Sequence, residues 1–352
     1  MWPQRGRSGM AKKAQTRTPS RKVTITDVAA LAGVSVGTVS NVINNRAHVT
    51  EARREKVRNA IEALSFTGSL IAKGMRTQRY PMVGLCVPNA TSSNFVAMAD
   101  RLEEQASAAN YELVEMITRH DPARELARIE RLVASRASGV ILLPTRRADP
   151  VLALLRDAGM PTVIINRFAP GATDFDQVQV NHRSIFRQAA RELVGRGMRT
   201  FLVATQFPNF SVVQENIAGI REGLKSTRDA SVTILKCGPS RQTYQEALAA
   251  QLAERAPGTM IVASSSLLAA WSIEALRALG LKCPEDVSLL VAEEPTWALA
   301  ATPTLSCIEQ PTGELVRSTW DLLLRRMRGE ADSAVTVRCE PRLHLRGSVI
   351  SA

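Results

Sequence analysis

Between residues 24 and 64 the apolar positions recur every three or four residues in three short runs, the spacing of helices that bury one face. Thr24 stands three residues before Asp27, a capping arrangement that opens a first helix ending near Ala32. Gly33 supplies the turn, because glycine takes left-handed backbone angles without steric cost. Ser35 is then expected to cap a second helix in which Val39, Val42 and Ile43 face inward. Val36, Gly37, Ser40 and Asn41 are left facing outward, and small and amide side chains suit a close approach to base edges in a major groove. Thr50 is expected to cap a third helix whose Val57, Ala60, Ile61 and Leu64 close a miniature core. The segment reads as a helix-turn-helix DNA reader.

After Pro81 the pattern changes to short apolar runs alternating with amphipathic stretches. Strands are expected at 82–87, 111–117, 139–143 and 161–166, separated by helices reaching about Ala109, covering about 122–135, and covering 149–158. The alternation resumes with a helix at about 182–196, then strands at 200–205, 231–236, 259–264 and 287–292 with helices at about 212–226, 241–254 and 266–279 between them. Apolar strands alternating with helices imply parallel sheets covered on both faces. With a break near 176–182, two doubly wound lobes are expected, and ligands of such sheets sit beyond the strands' carboxyl ends.

Charge sharpens this division. Residues 1–80 hold 15 Lys and Arg against four Asp and Glu, whereas the rest of the chain holds 30 against 29, so nearly the whole net charge of +12 lies where phosphates would be met. Residues 1–22, with seven Lys and Arg and no acid, read as a disordered basic leader, and Met10 before AKKAQ is an alternative start. Residues 67–80, basic and interrupted by Gly74, read as a hinge that orders only when something holds it. A hydrophobic content of 45% is ample for a large core, and an aromatic content of 4% makes that core one of Leu, Val, Ala and Ile.

Other chemistries find little support. The five cysteines (86, 237, 283, 307 and 339) are scattered and never form a C-x-x-C pair, so reduced cytoplasmic thiols are expected rather than disulfides. The four histidines (48, 120, 182 and 344) are equally isolated; neither a metal site nor a cofactor is expected. No run of about eighteen apolar residues occurs, and the N-terminus has no apolar signal core. There is no G-x-S-x-G elbow, P-loop or G-x-G-x-x-G turn, and the serines at 264–266 have no histidine near them in sequence, so no enzyme is expected.

The runs TITDVAALAGVSVGTVSNVIN, REKVRNAIEALSF and SLIAKGMR, followed in order by GVILLP, GMPTVIINR, LGLKCPEDVSLL and TLSCIEQP, resemble the lactose-repressor/galactose-repressor family of bacterial regulators over roughly residues 23–350. The resemblance implies an all-α helix-turn-helix headpiece (23–66), a hinge (67–80) and an α/β region (81–352) of two doubly wound parallel-sheet lobes, like a periplasmic binding protein, for effector binding and dimerisation. It places Val36, Gly37 and Asn41 against base edges; asparagine pairs bidentately with adenine, worth about 1–3 kcal/mol of discrimination. Thr24, Ser35, Thr38, Ser40 and His48 match phosphate-contacting positions. In the hinge, Ala72, Lys73 and Met75 match the minor-groove element, with Met75 where relatives carry a leucine wedge.

The cleft departs from the family pattern. Asn89, Phe95, Asn166, Arg167, Asn216, Ser265, Glu293 and Gln310 match effector-binding positions, with Ser266 beside them. Asn216 replaces an arginine, and the stacking aromatic usual near Gly238 and Pro239 is absent. The expected function is a cytoplasmic, nucleoid-associated regulator, a homodimeric repressor of a near-palindromic DNA operator controlled by a small, polar, carbohydrate-like effector. The alternatives are a regulator that has lost its effector and, from another class, a two-lobed solute-binding protein, against which the helix-turn-helix argues.

Overall fold

The computed structural model describes residues 23–43, 49–64, 80–89, 93–167, 171–238, 240–254, 256–331 and 333–350. The expected leader over 1–22, His48, Pro239, and the hinge with Ala72, Lys73, Gly74 and Met75 lie outside the described residues. The chain divides into two compact units, cut between Ala72 and Lys73.

In the first unit α1 (Ile25–Ala32), α2 (Val36–Ile43) and α3 (Glu51–Ala63) follow the expected order. Thr24 and Asp27 form a reciprocal capping box, and Gly33 ends α1 in the left-handed region at φ 64°. Ser35 caps α2, its Oγ accepting from the Thr38 backbone N–H at 3.1 Å. Val28, Ala29, Ala32, Val39, Val42, Val57 and Ala60 are the buried core, with Ile61 and Leu64 packed against it. The side chain of Ile43 lies outside what is described. One expectation is corrected: Thr50 occupies the N-cap of α3, but its side chain makes no capping bond. Its backbone carbonyl alone accepts, from the Arg53 and Arg54 N–H groups.

The second unit carries two six-stranded sheets. The first has the order β11-β5-β4-β3-β1-β2, built from β1 (Tyr80–Val87), β2 (Glu112–Ile117), β3 (Ala137–Leu142), β4 (Thr162–Ile165), β5 (Asp176–Val180) and β11 (Thr336–Cys339). The second has the order β12-β10-β9-β8-β6-β7, built from β6 (Thr200–Thr205), β7 (Ser231–Lys236), β8 (Thr259–Ala263), β9 (Ser288–Val291), β10 (Ser306–Glu309) and β12 (Arg342–His344). Pairing is parallel throughout except between β10 and β12. Covering helices are α4 (Ser93–Ala108), α5 (Pro122–Ala134) and α6 (Asp149–Asp157) in the first lobe, and α7 (His182–Gly195), α8 (Ser211–Leu224), α9 (Arg241–Ala253) and α10 (Ser266–Ala278) in the second. Buried aliphatic clusters lie on both faces of each sheet, as doubly wound packing requires.

The lobes are not consecutive in the chain. The stretch near 176–182, read from sequence as a break, contains β5, whose polar–apolar alternation lacks the continuous apolar run of its neighbours. Its polar members are satisfied internally: buried Asp176 accepts from Arg326 Nε at 2.7 Å, Arg326 Nη2 at 2.9 Å and the Val335 N–H at 2.7 Å. Arg326 belongs to α11 (Thr312–Arg328), which returns from the second lobe and buries Leu315, Val316, Trp320 and Leu323 in the first. The chain thus crosses between lobes three times, after β5, after β10 and after β11. Two crossings are tied together, Asn181 Nδ2 donating to Glu340 Oε1 at 2.7 Å and the Asn181 N–H to the Cys339 carbonyl at 2.9 Å.

Candidate nucleic-acid interface and interlobe cleft

The outward face of α2 follows from its register. Val39 and Val42 point into the small core, so Val36, at 42% exposure, and Gly37 face solvent, and Ser40 and Asn41 are half-buried beside them. The hydroxyls expected at phosphates are already engaged. Ser35 and Thr38 share a side-chain bond of 2.9 Å, and Thr24 Oγ1 lies 2.7 Å from Asp27 Oδ2. The Thr24 N–H also donates to that carboxylate, at 2.8 Å. A phosphate at Thr24 therefore has to share or displace a bond made by Asp27.

In the second unit the carboxyl ends of both sets of strands border one cavity of about 310 Å3, at the small end for a ligand pocket. All eight residues singled out from the sequence, Asn89, Phe95, Asn166, Arg167, Asn216, Ser265, Glu293 and Gln310, line it. Asn89 follows β1, Asn166 and Arg167 follow β4, Ser265 follows β8, Glu293 follows β9 and Gln310 follows β10. Asn166 takes φ 59°, a left-handed conformation that asparagine tolerates better than most residues. Glu293 is buried and held at both oxygens, accepting from the Ser266 N–H at 2.7 Å and from Asn94 Nδ2, across the lobes, at 3.3 Å. Gln310 Nε2 donates to the Ala292 carbonyl at 3.1 Å. Ser265 caps α10 through its hydroxyl, which gives it a local structural role besides its place on the wall.

Among the described residues that line the cavity, Arg167 is the one Lys or Arg. Its Nη1 donates to the Pro144 carbonyl at 2.8 Å, and its guanidinium lies 4.5 Å from the Phe210 ring centre of the other lobe. Burial pushes its pKa down to about 10, opposed by the charge of Glu125, so it stays protonated at neutral pH. Glu125 is itself buried, which pushes its carboxyl up, and it accepts from the N–H and hydroxyl of Thr145, both at 2.7 Å.

Several wall residues escaped the sequence reading. Phe207 and Phe210 stack with ring centres 4.8 Å apart, and His120 packs against both at 4.7 and 4.9 Å. An aromatic wall is therefore present, supplied by the turn after β6. Its signal was the aromatic, Pro and Asn composition of QFPNF at a strand's carboxyl end. His120 and His182 follow β2 and β5 and also line the cavity. Their spacing in the sequence forms no metal-ligand pattern, and their positions just after strands are the usable signal.

The comparisons with known proteins agree with this architecture. A family model described as "Bacterial regulatory proteins, lacI family" matches residues 24–69, and one described as "Periplasmic binding protein-like domain" matches residues 190–349. The HTH-type transcriptional regulator CelR of Thermobifida fusca is 30% identical over 346 residues, covering 93% of this chain and 98% of its own. A solved complex of the transcriptional regulator CelR with cellobiose has a TM-score of 0.69 at 26% identity, covering 93% of this chain and 99% of that one. The lac repressor dimer bound to operator and the anti-inducer ONPF has a TM-score of 0.81, covering 94% of this chain and 100% of that one; at 20% identity the likeness bears on fold alone.

Proposed function

Because this chain belongs to the lacI family of bacterial regulatory proteins and is a DNA-binding transcription regulator, we propose that it acts as a homodimeric repressor whose hold on a near-palindromic operator is set by a small, polar, carbohydrate-like molecule in the interlobe cleft. Residues 23–66 read the DNA, 67–80 connect, and 81–352 bind the effector and the partner subunit. Val36, Gly37 and Asn41 meet base edges, while Thr24, Ser35, Thr38, Ser40 and His48 meet phosphates and set the register. Ala72, Lys73 and Met75 enter the minor groove. Such a protein works in the cytoplasm, where its DNA is.

The observation that carries the effector reading is the convergence of Asn89, Asn166, Arg167, Asn216, Glu293 and Gln310, from both lobes, on one cavity. A molecule touching both walls stabilises one arrangement of the lobes over others, and the operator binds one arrangement more tightly; the two equilibria are then coupled. A CelR regulator bound to cellobiose is a precedent for a carbohydrate in this fold.

The test is selection from random DNA duplexes. The full chain is expected to enrich an inverted repeat, and a chain lacking the first 80 residues to enrich nothing while staying folded. Enrichment of the same repeat by the truncated chain would remove the DNA-reading role from the headpiece.

A further inference from the structure

Two histidines in the cleft carry opposite hydrogen-bonding demands. His182 Nε2 lies 3.4 Å from Asn166 Oδ1, an atom that only accepts, so Nε2 carries the proton and Nδ1 is left as an acceptor. Burial pushes the His182 pKa down to about 4, which keeps the ring neutral at physiological pH. His120 is the reverse. Its Nε2 lies 3.3 Å from Asn89 Nδ2, an atom that only donates, so the His120 proton sits on Nδ1. Burial, and then the charge of Arg167, holds the His120 pKa below its ordinary value. Among the described residues neither Nδ1 has a partner, and neither has Asn216 Oδ1, a second acceptor. His182 and Asn216 are only 7% and 5% exposed, and all three side chains line the cavity.

The Glu293 carboxylate also lines the cavity. On the His120 side stands Arg167, and a second hollow of about 440 Å3 opens there, lined by His120, Pro122, Thr145, Arg146, Arg147 and Phe210, with no carboxylate among them. Arg146 and Arg147 are exposed and form no ion pair among the described residues. The acid nearest in charge to Arg167, Glu125, is occupied by Thr145. The cavity thus offers unpaired acceptors, and its His120 side offers an N–H donor beside three guanidinium groups.

We propose that the effector is an anionic polyol, a sugar phosphate or a sugar acid, seated with hydroxyls toward His182, Asn216 and Glu293 and with its anionic group toward His120, Arg167, Arg146 and Arg147. Hydroxyls donate to the unpaired acceptors, and an oxyanion accepts from the imidazole N–H and the guanidinium groups. A neutral sugar satisfies only the acceptors and a simple inorganic anion only the donors. The orphan atoms are sealed from water in this conformation, so pairing them requires the walls to turn toward the guest. His120 belongs to the first lobe and Asn216 to the second, which makes occupancy a statement about both. The inference rests on the cleft being the effector site.

The experiment is calorimetric titration of the full-length protein with matched probes: glucose 6-phosphate and gluconate against glucose, ribose 5-phosphate and ribonate against ribose, and inorganic phosphate alone. An anionic member is expected to bind about 10-fold or more tightly than its neutral parent, the gain from one charge-assisted hydrogen bond. Replacing the exposed pair by Arg146→Gln with Arg147→Gln should shrink that preference without weakening the neutral parent, and His182→Gln should weaken both members. Whether the ester or the carboxylate wins identifies the anion. A neutral parent that binds as tightly, or inorganic phosphate accounting for the whole affinity, overturns the proposal and leaves an effector site standing. Failure of every probe, neutral or anionic, overturns the proposal together with the effector reading.

Discussion

Thr24 has two roles open to it, and two substitutions separate them. Its N–H and hydroxyl lie 2.8 and 2.7 Å from Asp27 Oδ2, and its hydroxyl oxygen also accepts from the Asp27 N–H at 3.4 Å. Asp27→Ala removes only the half of this reciprocal cap made by the carboxylate, and Thr24→Ala removes the half made by the hydroxyl, the latter at a cost of about 1 kcal/mol in a usual range of roughly 0.5–2. That corresponds to about a fivefold rise in the opening of α1, readable as faster hydrogen exchange of its amides in the full-length protein. The bond between hydroxyl and carboxylate is lost in either single variant, so the double variant should exchange more slowly than the two single effects combined would give. If Thr24 also holds a phosphate, Thr24→Ala loses a bond that Asp27→Ala keeps. A hydrogen bond to a charged group is worth about 1.5–3 kcal/mol, but part is offset because the hydroxyl leaves Asp27. A net near 1 kcal/mol, roughly fivefold per half-site, is expected for every operator sequence alike. Affinities are compared at high salt, where screening mutes the loss of the Asp27 charge. Thr24→Ser should restore both readouts. Equal operator affinities for Thr24→Ala and Asp27→Ala would make Thr24 a cap and nothing more.

Asn41→Ala should relax preference at one base pair of each half-site by about 1–3 kcal/mol and leave other positions unchanged; uniform weakening across operator variants would return Asn41 to a solvent-facing role. His182 is held neutral, with its pKa pushed down to about 4 by burial, so below the unfolded value near 6.5 the unfolded chain takes up a proton that the folded chain refuses. Its contribution to stability therefore falls as pH drops from about 6.5 toward 4, by an amount on the order of 3 kcal/mol, and His182→Gln should flatten that part of the urea-midpoint profile. An unchanged profile would mean that His182 protonates in place. Gly219→Ala puts a β-carbon 2.9 Å from Phe186 Cβ and 3.0 Å from the Arg187 nitrogen, so α7 and α8 must separate. Overpacking of this kind should cost about 1–3 kcal/mol in denaturant unfolding, and a wild-type midpoint would show that the pair has room.

The legible parts of this chain are those in which local pattern and burial agree. Strands β6 and β7 sit where continuous apolar runs put them, and α1 is bounded by Thr24 and Gly33 because cap chemistry is local. Strand β5 was missed because its Asp176 and Gln177 look like surface residues until the partners are known. One partner, Arg326, lies 150 positions away on a helix that belongs to the other half of the sequence. The interleaving of the lobes is invisible to any window of sequence for the same reason. In the cleft, the polar residues at strand ends were identifiable by register and resemblance. His120, Phe207 and Phe210 were not, because their significance comes from packing against one another across the lobes. Thr50 shows the opposite error: a good capping residue at a cap position whose side chain makes no bond there.

The central claim, that a molecule in the cleft sets the grip on DNA, is tested most directly by measuring affinity for the selected operator with and without a saturating amount of whichever probe binds the cleft. Coupling of about 1–3 kcal/mol predicts a change of roughly 5- to 150-fold in operator affinity, and an equal change in probe affinity when operator is present. The effect should disappear in Glu293→Gln together with His182→Gln, at the probe concentrations used. A probe that binds the cleft while operator affinity stays the same would contradict the account.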